Sequence, residues 1–198
     1  MNIDECVANY IQRFRDRARS EIAYCAKQKT LSDAITVAAA CTHADGKRHS
    51  HQRRIPLSVL GEAARELHAH NEALSIAKSF GQLHAKIDAV IGPIHGIGRL
   101  AVYDISHRIG AFLDLEPENV YLHAGAREGA AILGIFGSVI EKRQLPDAFA
   151  PLTAAEIEDC LCIYKDALGG LGASPADYGQ RTPVSSCLSE VSRGVPHC

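Results

Sequence analysis

Residues 90–105 read VIGPIHGIGRLAVYDI, and the fold turns on how this stretch is read. Gly96 and Gly98 stand one residue apart, shortly after Pro93. Glycine accepts positive φ and lets backbones approach closely, so the pair marks a tight corner. Beyond it, Leu100, Val102, Ile105, Ile109 and Phe112 recur at helical spacing, which predicts a helix over 99–113. Before it, the run from Glu72 to about Ile91 has the same periodicity, with Gly81 as the place where it can break. The corner is therefore expected to join two helices.

The rest of the chain repeats the helical signal. Ile3, Val7, Tyr10, Ile11, Phe14, Ala18 and Ile22 lie on one stripe, which predicts a single amphipathic helix over 3–28 with Arg13, Arg15, Asp16, Arg17 and Arg19 facing water. Thr30 with Asp33 signals the start of a helix over 31–41, and Pro56 opens another over 57–70. Residues 126–142 read as a helix whose glycines at 129, 134 and 137 permit close packing. Thr153 and Glu156 form a capping-box pattern that starts a last helix. "VYLHAG" is too short to assign, and no alternating strand pattern recurs. The expected fold is all-α: a compact multi-helix bundle over 1–168, with a Gly-, Ser- and Pro-rich flexible tail over 169–198.

Composition narrows the function classes. The chain has 198 residues and a formal net charge of −2, so any grip on a polyanion must come from a local patch. No signal-peptide core or membrane-length apolar run is visible, which leads us to expect a cytoplasmic protein with no membrane contact. Seven cysteines without CxxC spacing suit small buried side chains better than a disulfide framework.

Three readings of the glycine pair follow. Gly96, Gly98 and Ala101 fit a dinucleotide-binding fingerprint, but that motif needs a preceding strand, and a helix is expected here. The pair can also be a helix–helix corner with no ligand. The third reading is a helix-hairpin-helix. Here Ile94 precedes the turn, Gly96-Ile97-Gly98 forms it, and Ala101, Val102 and Ile105 pack inward. The free amides at the start of the second helix would then hold a phosphate of duplex DNA without reading its sequence, with Arg99 adding a charge.

The stretch from about Ala85 to Arg127 resembles the helix-hairpin-helix segment of base-excision DNA glycosylases. In that family a hairpin of the form LPGVGRKTA is followed about twenty residues later by a segment like VDTH. The corresponding pieces here are IHGIGRLAV and Val120–His123. The resemblance implies phosphate binding by the hairpin. It does not carry the family's chemistry across: the catalytic aspartate falls at Tyr121 and the lyase lysine at Leu100, and neither side chain can replace them. The spacing of Cys160 and Cys162 does not suit the iron–sulfur loop of that family.

Elsewhere, GKRHSHQRR at 46–54 sets Lys47, Arg48, Arg53 and Arg54 around His49 and His51. Arg48 and Arg53 are candidate phosphate contacts beside Gly96, Gly98 and Arg99. His51, Arg54, Tyr121 and His123 would be the catalytic groups if the protein is an enzyme of another kind. His49 and His51 with Cys41 or His43 make a conceivable metal set, but the loop context and the adjacent cations argue against it, so neither metal nor cofactor is expected. A third possibility is a homodimer or interaction module closed through the small residues of 125–137.

Overall fold

The computed structural model describes residues 1–49 and 52–170. His51 and the expected tail beyond residue 170 thus lie outside the described residues. Nine α-helices appear among those described: α1 (Ile3–Arg13), α2 (Arg15–Ala26), α3 (Leu31–Ala40), α4 (Leu57–Ala69), α5 (Asn71–Ser75), α6 (Phe80–Ile91), α7 (Arg99–Phe112), α8 (Ala124–Ile132) and α9 (Ala154–Gly169). A two-stranded antiparallel pair, β1 (Val120–Tyr121) and β2 (Val139–Ile140), is the only sheet among them, with Val120 opposite Ile140.

These elements bury two separate apolar clusters. One gathers Ile3, Val7 and Tyr10 of α1 with residues of β1, α8 and α9, joining the start of the chain to its last third. The other is built from the middle of the chain, from Ile35 on α3 to Ile109 on α7.

The first helix is not continuous. Phe14 leaves helical geometry at φ −121° and ψ −34°, ending α1 and starting α2. The stripe read as one helix thus splits: α1 packs on α9, while α2 packs against α7 and α3. Arg15 does not face water either. Its Nη2 donates to the Pro151 carbonyl at 2.8 Å and to Glu156 at 3.0 Å. Arg19 reaches the same carboxylate at 2.9 Å. Burial opposes ionisation of Glu156, but the Thr153 amide and the two arginines overcome it and hold its carboxyl below the usual range.

The caps follow the sequence. Thr30 accepts from the Asp33 amide, and Thr153 and Glu156 complete a capping box. The run before the corner breaks ahead of Gly81, because Ser79 caps α6 by accepting from the Gln82 amide. The helix expected over 126–142 stops at Ile132. Gly134 (φ +74°) and Gly137 (φ +150°) adopt backbone that favours glycine, and the chain turns back to form β2. Gly129 behaves as expected: it lies in α8 against the Leu161 backbone of α9.

No helix among the described residues is long and apolar enough to cross a membrane.

Candidate functional site

The corner at Gly96–Gly98 is exposed. Its turn is closed by main-chain bonds, the Ile94 amide donating to Ile91 and the Ile97 amide to Ile94. Ile97 is the buried anchor, at 9% exposure. Gly96 has φ +95°, which a side chain would strain. Gly98 is the N-cap of α7 and makes no side-chain cap bond, so the first amides of this 14-residue helix have no side-chain acceptor among the described residues. A Cβ at Gly98 would meet nothing within 4 Å.

Between the end of α6 and the start of α7 lies an open depression of about 450 Å³ lined by Asp88, Gly92, Pro93, Ile97, Arg99 and Val102. Arg99 and the helix dipole favour an anion there, and Asp88 opposes one.

The helix that follows the basic loop, α4, packs against the corner. Val59, in its first turn, lies 3.6 Å from where a Cβ on Gly96 would sit. Arg53 and Arg54, just upstream in sequence, are exposed. Arg48 is engaged elsewhere: its guanidinium donates to the main-chain carbonyls of Gln52 and Ile55 and so braces the loop from inside.

A cluster of rings spans the seam between the two cores. Phe80 and His84 come from α6, Tyr103 and His107 from α7, Tyr121 from β1, and His123 from the residue before α8. Tyr103 and Tyr121 stack with centroids 5.3 Å apart, and His123 sits 4.9 Å from Tyr103. Burial, followed by the charge on Arg108, pushes His107 down to about 4. Burial, followed by His84, Arg127 and Arg99, pushes His123 down to about 4. Both imidazoles are therefore neutral near pH 7. His123 Nε2 is buried and has no hydrogen-bond partner among the described residues.

Beside the rings lies a polar group that sequence reasoning missed. Arg108 is buried at 5% exposure and Gln52 at 1%. Gln52 donates to Asp104 and accepts from Arg108 Nη2 at 3.4 Å. Burial, with the charges of Asp159 and Asp104, holds the Glu158 carboxyl well above its usual range. The spacing of Asp104 and Arg108, four residues apart on one helix, was the available signal. Nothing in the sequence indicated that this face would turn inward.

Of the residues singled out from sequence, the structure thus brings Gly96, Gly98 and Arg99 together at one exposed corner. It sets Tyr121 and His123 in one ring cluster, and it commits Arg48 to the interior of its own loop. Comparison with family models, curated proteins and solved structures finds no match to this chain.

Proposed function

We propose that the protein binds duplex DNA at its backbone, holding a phosphate on the amides that open α7. The observation that supports this most is the exposed, side-chain-uncapped start of α7 at Gly98, with Arg99 beside it. Arg53 and Arg54 add positive charge from the loop that leads into Val59. Such contacts fix the position of a duplex and carry no sequence preference.

Arg99→Glu removes one cation and places an acid over the amides. Affinity for a short duplex at low salt is expected to fall about tenfold or more, and the slope of log affinity against log salt to shrink by about one. Fluorescence anisotropy across a salt series measures both. Equal affinities and equal slopes for the two proteins would remove the proposal.

The ring cluster favours a second reading, in which the same corner serves an enzyme acting on a displaced base. Tyr121 and His123, both part-exposed with Tyr103 buried behind them, offer ring surfaces. Release of free base from damaged or mismatched duplexes, lost in Tyr121→Ala, is the expected signature. The position of His51 relative to Tyr121 lies outside the described residues.

The dimer reading keeps part of its surface: Gly134 is open and Phe136 is exposed. Gly125 and Gly129, whose small size would let a second copy approach, are already used inside the chain against Cys162 and Leu161.

A further inference from the structure

The loop after α3 folds back on itself in a way its sequence does not reveal. Thr42 pairs with Arg48 in an antiparallel bridge. The His43 amide donates to Lys47 at 2.8 Å, the His49 amide donates to Cys41 at 2.8 Å, and Gly46 supplies the turn at φ +77°. Side chains alternate across such a pair, so residues flanking Thr42 and Arg48 share the opposite face. His43 and His49 are therefore diagonal neighbours on one face, with ring centroids 3.7 Å apart. That face meets α2. His43 Nδ1 lies 3.5 Å from Glu21 Oε1, and His49 Nδ1 lies 3.5 Å from Glu21 Oε2.

We propose that Glu21, His43 and His49 bind a divalent transition metal ion, zinc by preference, which ties the loop to α2. The ligand atoms all lie within 4.8 Å of one another. Two ligands on a tetrahedral ion with bonds of about 2.1 Å stand about 3.4 Å apart, close to the separation of each histidine from its own Glu21 oxygen, so small rotations of the carboxylate bring all three onto one ion. Two imidazoles and one carboxylate suit zinc with a fourth position left to water. The side chains are 28%, 20% and 12% exposed for Glu21, His43 and His49, so the site is sheltered yet reachable. Burial opposes ionisation of Glu21, but hydrogen bonds with His49 and Arg17 prevail and hold its carboxyl down to about 2, ready to ligate. Burial, together with His49, lowers His43 and favours its neutral form. The Cys41 thiol is turned away, donating to the Ala38 and Ala39 carbonyls.

Arg17 is the competitor. Its Nε donates to Glu21 Oε1 at 2.9 Å, and its side chain is 79% exposed. Removing it frees a ligand oxygen and a positive charge without opening a core, which gives a test in the direction of gain.

The full-length protein, stripped of metal, is titrated with Zn²⁺ against a chromophoric chelator and with Co²⁺ by visible absorption. One equivalent is expected at micromolar affinity or tighter, with a tetrahedral cobalt spectrum lacking thiolate charge transfer. His43→Ala, His49→Ala and Glu21→Gln should each weaken zinc at least tenfold, and Arg17→Ala should tighten it several-fold. If a histidine variant does not fold, the near-isosteric Glu21→Gln and the exposed Arg17→Ala decide the matter. Absence of binding overturns the proposal. So does binding that all these variants leave unchanged, which would place the metal on other cysteines or histidines and leave the trio an ion-paired brace only.

Discussion

Gly129→Ala is expected to destabilise the protein by about 2 kcal/mol, while Gly61→Ala stabilises it by about 0.5–1 kcal/mol. Both glycines lie inside helices, Gly61 in α4 and Gly129 in α8, so the same substitution gains the same backbone preference at each. The surroundings decide the sign. A Cβ at Gly61 finds only the tip of Arg65 at 3.9 Å, an ordinary contact with a mobile side chain. A Cβ at Gly129 would lie 2.4 Å from the Leu161 carbonyl oxygen and 3.1 Å from its carbon. Backbone in the middle of a helix cannot step aside, so α8 must lift away from α9.

That lift would strip packing from Ala126 and Ala130, both buried in the first core. Overpacking of this kind costs up to about 3 kcal/mol, against about 1 kcal/mol gained from replacing glycine in a helix. Gly129→Leu leaves no such balance and is expected to yield no folded protein. Urea or thermal unfolding of the two alanine variants reads the contrast. For a domain of this size each kcal/mol moves the midpoint by about 2–4 °C. A Gly129→Ala protein as stable as wild type would mean that α8 and α9 are not in this contact.

Much of this architecture was legible because local rules agree with tertiary ones. Thr30, Thr153 and Glu156 cap the helices they were read to cap. Gly96 and Gly98 make the corner between α6 and α7 that their spacing demands. What failed was continuity. The stripe from Ile3 to Ile22 has helical periodicity throughout, yet the chain bends at Phe14: α1 buries Ile3, Val7 and Tyr10 in the first core, while α2 packs on α7 and α3. Periodicity reports which face is buried, not against what.

The same limit hid the polar interior. Arg108 and Glu158 look like the solvated sides of α7 and α9 when each helix is read alone. Both become buried because the seam between the cores closes over them. The histidine–carboxylate trio was hidden differently. Reading along the loop groups His49 with His51 and with Cys41 or His43, while the fold sets His49 beside His43 and draws the missing carboxylate, Glu21, from an earlier helix. Pairing across a bridge and contact between distant helices leave no mark on a local window.

Stability is expected to peak near pH 7 and to fall by about 3 kcal/mol between pH 7 and pH 4.5. Neutral burial of His107 and His123 sets the sign. Their native values, about 4 each, lie below the unfolded value of about 6.5, so between those limits the unfolded chain binds protons that the native chain refuses. Their contribution is complete above pH 6.5 and is lost as pH falls toward 4, at up to about 1.4 kcal/mol per unit for each ring. Glu158 works the other way. Its native value is raised, so its contribution is complete below the unfolded value of about 4.3 and is lost as pH rises. Over pH 4.5–6.5 the two rings and the one carboxyl leave a net of about one proton, which gives the expected slope. Below pH 4.5, Glu21, held down to about 2, and the lowered Glu156 continue the loss, because depressed carboxyls stabilise only while ionised. Above pH 7 the raised Glu158 carboxyl and, from the ordinary thiol range upward, the buried Cys25 and Cys160 thiols, pushed up to about 11 and about 12, turn the curve downward. Urea midpoints from pH 4 to pH 9 measure the profile. His107→Gln should flatten the acid limb by about one proton, and Glu158→Gln should flatten the alkaline limb and steepen the acid one by about one proton, because the opposing carboxyl is gone. A wild-type profile level from pH 5 to pH 7 would show that these rings are as accessible to protons in the native state as in the unfolded chain, and that the seam between the two cores is open.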